Sequence, residues 1–397
     1  MAVTQTSSLS NAATVVYENV FLTESIVEEV WGRFIDWEAI QEGRGGTSYD
    51  YGAYTDMAPA LTALTEDSDI VPVTLGDTNI TVTPNEYGNA VSISKKLRWS
   101  ARTRVREDAI RMMGANRARS VDRLCRNGVL GGSNTRYPGT NTARTDLTGS
   151  GDQVSYAFLT ALLASAYAAG LKPFEGNVFA AIVPFELQAD IVALTEFKEV
   201  EYRAPSAIFE GLPGFTFAGF RFIPHRAGKL YLSGGTVAQA ATTLSSAVVA
   251  GATSAVVASA TGLAAGDYIT LGTLEANDAE QVQITAVAGT TLTIKGGGNS
   301  PGNLGCAYAH ASGAAVTEAP NVAAIPVIGK NSTKGVYGAD GRYGVLTLAE
   351  GLDILQTGGQ GRFVYPGWTW FGGVGIWPRY VIRGECVASL GHIGVEY

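Results

Sequence analysis

The stretch Lys96–Gly132 decides the fold, and it reads KLRWSARTRVREDAIRMMGANRARSVDRLCRNGVLGG. It contains no proline, and good helix formers fill it up to the glycine pair at its end. Paired glycine commonly ends a helix, because glycine adopts the left-handed backbone found at helix C-termini. The stretch therefore predicts a helix of about 30 residues, roughly 45 Å long and well above the usual three or four turns.

The apolar residues of this helix fall into two sets. At 100° per residue, one face carries Leu97, Ala101, Val105, Ala109 and Met112. Beyond Gly114, roughly the opposite face carries Val121, Leu124, Cys125 and Val129. A helix that changes its buried side is expected to run under one part of a protein and then over another.

The composition bounds the class of protein. With 397 residues the chain can hold two or three domains and bury a large core. Its net charge of −8 and its 16% of charged residues suit extensive β-structure better than a disordered or strongly basic protein. The sequence shows no secretory signal and no apolar run of membrane-spanning length, so we expect neither secretion nor a transmembrane segment.

The segment before the helix predicts an arm. Residues 1–20 are rich in Ser and Thr, and Phe21–Ile40 is typical of an amphipathic helix. We expect Trp31 and Trp37 to be exposed on this arm and to contact another subunit. A terminal helix docked on its own chain is the alternative.

Between Pro59 and Ser94 the pattern changes to alternation, with a turn at Gly76-Asp77. This pattern predicts a long two-stranded hairpin directly before the helix. A lone hairpin is marginally stable in water, so we expect it to be supported from outside the subunit. The expected contacts to a neighbouring subunit are Val73, Leu75, Ile80 and Val82.

Downstream of the helix, alternating helix and strand patterns predict a mixed α/β body. Residues 236–319 differ, because they are nearly free of aromatic residues and carry one basic residue, Lys295. Their short β-runs, separated by Gly-containing turns, predict a small all-β domain inserted between Phe215–Ile223 and Ala324–Gly329. Dense β-structure is expected again in Arg362–Leu390.

The order of these parts resembles the tailed-bacteriophage major capsid proteins of the Hong Kong 97-type fold. The branch named after phage N-four is similar in its hairpin leading into an Arg-rich helix, here Val91–Gly132. It is also similar in a late Gly-Trp-x-x-Phe-Gly segment, here Gly367–Gly372 (GWTWFG). The resemblance covers most of residues 15–235 and 320–390, and the insertion departs from it.

The resemblance implies an α+β fold of the Hong Kong 97 type, to which the residue pattern adds a small all-β insertion. Its segments would be an N-terminal arm (1–55), an extended hairpin loop (56–96), a spine helix and peripheral domain (97–151), an axial and peripheral α/β body (152–235), an inserted all-β surface domain (236–319) and the return of the axial domain with C-terminal peripheral strands (320–397).

The resemblance also implies a structural function. Pentamers and hexamers of the chain would form an icosahedral head that encloses double-stranded DNA. The implied partners are other copies of the chain, portal protein, scaffolding or decoration proteins and non-specifically bound DNA, with no membrane. The protein would be made in the bacterial host cytoplasm and reside in the virion.

Nine arginines against three acids make Arg98–Arg126 basic within an acidic chain. Pairing with carboxylates within and between subunits is favoured, because arginine forms forked, partly buried ion pairs. Contact between an inner shell surface and DNA phosphates is the alternative. The arginines concerned are Arg98, Arg102, Arg104, Arg111, Arg119 and Arg126.

No set of residues in the sequence indicates chemistry. His225, His310 and His392 lack metal-ligand partners at a useful spacing, and the three scattered cysteines indicate neither a disulfide framework nor a zinc site. We therefore expect no catalytic, metal or cofactor site. The alternatives to a capsid protein are the shell protein of a cargo-enclosing bacterial nanocompartment, which shares the fold, and a β-rich surface or adhesion protein. An enzyme fits least.

Overall fold

The structure, a computed structural model, describes residues 29–40, 47–54, 57–100, 105–203, 214–298, 304–350, 363–377 and 380–395, apart from residues 62, 64–69, 71, 175, 237–239, 331 and 339–340 within those ranges. The chain divides into two compact units. The first combines Met1–Gly128 with Thr333–Trp377, and the second combines Val129–Ser332 with Pro378–Tyr397.

The described residues contain α-helices and short 3-10 helices. The α-helices are α1 (Lys95–Ser100), α2 (Val105–Leu130), α3 (Tyr156–Ala168), α4 (Phe185–Ala193) and α5 (Thr195–Arg203). The 3-10 helices are Trp31–Phe34, Arg144–Asp146 and Ser150–Asp152.

The strands are, in chain order, β1 (Asp36–Ala39), β2 (Tyr49–Tyr54), β3 (Asp77–Val82), β4 (Asn85–Ala90), β5 (Ile93–Ser94), β6 (Thr135–Arg136), β7 (Phe179–Val183), β8 (Phe215–Phe217), β9 (Phe220–Pro224), β10 (Leu230–Tyr231), β11 (Ala240–Thr243), β12 (Ser254–Val256), β13 (Tyr268–Leu271), β14 (Glu280–Ala288), β15 (Thr291–Lys295), β16 (Ala315–Glu318), β17 (Val322–Val327), β18 (Thr333–Tyr337), β19 (Val345–Glu350), β20 (Phe363–Ile376), β21 (Ile382–Val387) and β22 (Gly394–Val395). This mixture of helices and mainly antiparallel sheets is the predicted α+β class.

The sheet of the first unit is built around β20, a strand of 14 residues. The strand order is β1-β18-β20-β19, and β4 and β5 also pair with β20. Trp368 and Trp370 lie two residues apart on β20, so they share one face of the sheet, and both are buried. The GWTWFG segment is therefore part of the core of this unit.

The predicted arm helix is wrong in its described part. Instead of helix, Trp31–Phe34 forms a 3-10 turn and Asp36–Ala39 forms β1, which pairs in parallel with β18. Ile35 and Trp37 alternate with charged residues, which is the period-two pattern of a strand. Pairing with β18 at the edge of the sheet stabilises this strand over the predicted helix. The rest of the predicted helix, residues 21–28, lies outside the described residues.

The predicted hairpin also differs from the structure. Strand β3 pairs with β2, so the ladder joins residues on both sides of the predicted boundary between residues 55 and 56. Ile80 and Val82 of β3 are buried against Val336 of the same chain. Val73 and Leu75 lie before β3, outside any strand, and are exposed.

The long helix is present as α1 and α2, with residues 101–104 between them outside the described residues. The sequence predicted that the buried face changes sides along this helix, and the structure shows that it does not. One continuous stripe at helical spacing is buried, and it consists of Ala109, Ile110, Met113, Gly114, Arg117, Ala118, Val121, Asp122, Cys125, Arg126, Val129 and Leu130. Met112, predicted on the buried face, is 72% exposed. Apolar residues alone mislead here, because the stripe includes charged and small residues.

The body of the second unit contains two sheets, ordered β10-β17-β21-β6 and β7-β9-β8. Ala180 of β7 and Ile328 just after β17 form an antiparallel bridge between them. Helix α3 starts where the Ser155 hydroxyl accepts the Phe158 N–H, and its apolar face packs into the core. This core includes Phe158, Leu162, Phe179, Phe220, Phe222, Ile325 and Ile382.

Residues 240–318 form strands and turns at their described positions. Their strand order is β11-β16-β13-β14-β15-β12. The two outer strands meet, because the Ser245 N–H donates to the Val256 carbonyl and the Ala258 N–H donates to the Thr243 carbonyl, both at 2.8 Å. These bonds close the sheet into a small barrel, here called the barrel. Its interior is filled by its own side chains, including Leu244, Ile269, Leu271, Val282, Ile284, Leu292, Ile294 and Val316.

The single buried face of α2 can be tested with two matched substitutions. Ile110→Asp places a charge at a fully buried position, and it should lower the free energy of unfolding by about 3–5 kcal/mol. Met112→Asp should change it by less than about 0.5 kcal/mol. Urea denaturation of the unassembled chain, followed by tryptophan fluorescence, measures both. Similar losses for the two variants would contradict the face assignment.

Candidate functional site: the arm joint and the exposed loop

The arm joint is the place in the first unit where Glu29–Gly32 meets Arg117 and Asp122 of α2 and Arg342. At its centre the Glu29 carboxylate binds Arg117 at 3.2 Å and Arg342 at 3.0 Å. Glu29 and Arg117 are both buried. A buried ion pair is tolerated only when its geometry and further hydrogen bonds offset the loss of hydration.

Backbone groups provide those further hydrogen bonds. The Arg117 guanidinium donates to the Arg342 carbonyl at 2.8 Å, and the Arg342 guanidinium donates to the Gly32 carbonyl at 2.8 Å. A Cβ at position 32 would lie 1.8 Å from Oε1 of Glu29, so a larger residue there would displace this carboxylate from its ion pairs. The joint therefore depends on residues that are far apart in the sequence.

Asp122 holds the backbone of the arm. Its Oδ1 accepts the N–H groups of Val30, at 3.0 Å, and Trp31, at 2.6 Å. Oδ2 has no hydrogen-bond partner among the described residues. Burial raises the pKa of the Asp122 carboxyl to about 6, and the nearby Glu29 charge adds to this rise, while the backbone donors oppose it.

Aromatic rings extend the joint into the sheet. Trp37 makes edge-to-face contacts with Tyr337 and Trp370, at centroid distances of 6.4 and 6.2 Å. Its indole N–H donates to the Gly32 carbonyl at 2.8 Å, and the Arg342 guanidinium lies 5.5 Å from its ring centre. Such contacts add about 0.5–1.5 kcal/mol each beyond burial.

The six residues expected to contact a neighbouring subunit lie in different surroundings in the structure. Trp31 is fully buried and Trp37 half-buried within one chain, and Ile80 and Val82 are buried against the same chain. Val73 and Leu75 have large free surfaces, since they are 71% and 58% exposed.

These two residues belong to a longer stretch whose described residues, 57–61, 63, 70 and 72–76, are all exposed and are here called the exposed loop. None of its described residues lies in a helix or a strand. Its large apolar side chains, each more than half exposed, are Met57, Leu61, Ile70, Val73 and Leu75. Several exposed large apolar side chains on one loop make it a candidate interaction site.

The predicted arginines divide between two environments. Arg126 is buried, whereas Arg111 and Arg119 are exposed on α2. Arg102 and Arg104, and the side chain of Arg98, lie outside what the structure describes. The contacts of Glu29, Arg117, Asp122 and Arg342 are not predicted from the sequence. The available signal was the spacing of Ile110, Met113, Arg117, Val121 and Cys125, which places Arg117 within an apolar stripe.

The described residues contain no group of three or more potential metal ligands. Cys125, Cys306 and Cys386 are buried and unpaired with one another, and burial raises the pKa of the Cys306 thiol to about 12, which makes it a poor nucleophile. None of the described helices has the length and apolar character needed to span a bilayer.

No family model and no curated protein matches this sequence. Solved structures do match its fold. The capsid of Ralstonia phage GP4 aligns with a TM-score of 0.52 at 12% identity, covering 90% of this chain and 88% of that chain. The head structure of Helicobacter pylori bacteriophage KHP40 aligns with a TM-score of 0.50 at 12% identity, covering 89% and 88%. The chain has the fold of bacteriophage capsid proteins.

The predicted resemblance to phage capsid proteins is thus confirmed for the fold. The match extends over about nine-tenths of the chain, so it is not limited to one motif. Within this fold, the arm joint is a set of contacts inside the chain, and the exposed loop carries large apolar side chains on the surface.

The raised pKa of Asp122 predicts a pH dependence. A carboxyl whose folded pKa is about 6 contributes stability that is fully present below its unfolded pKa, near 3.9, and is lost as pH rises through about 6. The loss amounts to about 3 kcal/mol. Asp122→Asn keeps an oxygen acceptor for the arm and should be more stable than the parent protein above pH 7.

Urea unfolding at several pH values, compared between variant and parent, measures this contribution. Their difference in unfolding free energy should grow between pH 4 and pH 7. The control is Asp108→Asn, at an exposed position of the same helix, where no such growth is expected. A difference for Asp122→Asn that does not depend on pH would contradict the assignment.

Proposed function

We propose that this chain is the major capsid protein of a tailed bacteriophage, with a Hong Kong 97-type fold. In this proposal, pentamers and hexamers of the chain form an icosahedral head that encloses double-stranded DNA. The observation that carries the proposal is the capsid fold, which extends over about nine-tenths of the chain.

The exposed loop supports self-assembly. Full burial of a large apolar side chain contributes roughly 1.5–3 kcal/mol, and this loop presents several such side chains within 20 residues. Part of that gain offsets the loss of translational and rotational freedom on association. In the proposed shell, the loop lies on a neighbouring subunit and Val73 and Leu75 become buried.

Charge supports an assignment of inner and outer surfaces. Residues 236–319 hold one lysine and five acids, Asp267, Glu275, Asp278, Glu280 and Glu318, for a net charge of −4. Glu280 is buried, and DNA phosphates would be repelled by the other four acids, so we place the barrel on the outside of the shell as an inserted surface domain. Arg111 and Arg119 remain candidates for contact with DNA or with a neighbour's carboxylates, whereas the burial of Arg117 and Arg126 favours pairing.

The proposed partners follow from this role. They are other copies of the chain, portal protein, scaffolding or decoration proteins, and packaged DNA bound without sequence preference. The protein would be made in the cytoplasm of a bacterial host and reside in the virion. The runner-up is the shell protein of a cargo-enclosing nanocompartment, because that class shares the fold. No described feature favours a surface adhesin or an enzyme.

Self-assembly is the first test. Purified full-length protein should sediment as pentamers, hexamers or closed shells, and negative-stain images should show icosahedral particles. Particles from infected cells should contain DNA that is protected from nuclease. A strictly monomeric species at all protein and salt concentrations would reject the proposal, and shells filled with protein cargo would favour the nanocompartment.

Substitution of exposed-loop residues separates assembly from folding. Leu61→Ser with Val73→Ser should change the unfolding free energy of the unassembled chain by less than about 0.5 kcal/mol, because both side chains are exposed. It should strongly reduce the fraction of assembled protein in sedimentation velocity. The control Val82→Ser alters a buried residue and should cost about 2–4 kcal/mol of stability. Normal assembly of the loop variant would place the subunit interface elsewhere.

A further inference from the structure

Residues 389–395, here called the strap, leave the body of the second unit after β21 and run to the barrel. The strap first contacts α4. The Ser389 N–H donates to the Asp190 carboxylate at 2.9 Å, and the Ser389 hydroxyl binds the same carboxylate. Further on, Nδ1 of His392 lies 2.7 Å from Oε1 of Glu186. These contacts hold one side of the strap on the body.

The other side of the strap contacts the barrel. The His392 N–H donates to the Gln281 side-chain carbonyl at 3.0 Å. Gly391 packs directly on the Tyr268 ring, where a Cβ would lie 2.4 Å from a ring carbon. The strap then forms β22, whose residues pair with Glu280 and Gln281 at the start of β14.

The ladder shows why β14 has room for a further strand. On one side, β13 pairs with residues 280–283 of β14. On the other side, β15 pairs with β14 only from Gln283 onward. Because a strand has two hydrogen-bonding edges, Glu280 and Gln281 are free on the β15 side, and β22 occupies that edge.

A buried pair of side-chain amides joins the start of β14 to the body. Gln281 and Asn321 exchange two side-chain hydrogen bonds, at 2.9 and 2.7 Å, and both residues are buried. Asn321 also accepts the Ser233 N–H at 2.9 Å. Since the Gln281 carbonyl oxygen accepts the His392 N–H as well, strap, barrel and body share one hydrogen-bond network.

We propose that the barrel and α4 together form an acceptor site for an extended peptide strand, occupied here by the strap of the same chain. The ligand class is a short peptide that adds a strand to β14, with glycine over Tyr268 and histidine beside Glu186. Main-chain hydrogen bonds supply binding, and these two side-chain positions supply specificity. The bound strand holds the barrel in one orientation on the body. The proposed capsid function does not depend on this acceptor site.

Peptide complementation tests this site. A variant truncated after Ala388 should fold with an empty acceptor edge. Backbone amides at the start of β14 should then exchange hydrogen about tenfold faster or more, whereas β17 in the body core keeps its protection. The synthetic peptide SLGHIGVEY, residues 389–397, should bind the truncated protein in calorimetry and restore protection. The same peptide carrying Gly391→Val should do neither.

Three outcomes would overturn the proposal: unchanged exchange in β14 on truncation, no binding of the parent peptide, or equal binding of both peptides. If the truncated chain is insoluble, full-length Gly391→Val replaces it, because the valine side chain cannot fit against Tyr268. Leu390→Ala, at an exposed neighbouring position, is its control. Hydrogen exchange in β14 should be faster than in the parent protein for Gly391→Val and unchanged for Leu390→Ala. Equal exchange rates in Gly391→Val and Leu390→Ala would also reject the acceptor site.

Discussion

The first unit depends on one buried carboxylate. Glu29 neutralises Arg117 from the long helix and Arg342 from the segment before β19, and each arginine also binds a backbone carbonyl. Loss of one partner from such a group leaves an uncompensated buried charge, which costs about 3–5 kcal/mol. Glu29 of the arm is therefore part of the core of this unit, because Arg117 of the long helix would be buried without an ion-pair partner if Glu29 were absent.

The extent of the long helix follows from sequence, but its orientation does not. Helix formers without proline indicate α2, and local propensity is enough for that inference. The buried face depends on Arg117 and Asp122, whose burial is possible only because Glu29 and the Val30 and Trp31 amides meet them. Those partners are about 90 residues away in the chain, so periodicity of apolar residues assigns Met112 to the wrong face.

The same limit applies to the exposed loop. Alternation predicts strands across Val73 and Val82, and it cannot distinguish a strand with a partner from a stretch without one. β3 pairs with β2, which buries Val82, whereas Val73 and Leu75 lie outside any strand and are exposed. The difference between core and candidate interface therefore arises from a long-range pairing that local sequence does not encode.

The barrel has its own core and is attached to the body of the second unit by polar contacts. Its own core explains why a stretch poor in aromatic residues can fold, since closure of the sheet buries leucine, isoleucine and valine side chains in its interior. Two chain crossings alone would leave its orientation free, as contacts between domains are often weak. Here Arg144 stacks on Tyr231 of the body and binds both Glu385 of the body and Glu275 of the barrel. The Gln281–Asn321 pair makes a second attachment, and reorientation of the barrel would unpair these two buried amides.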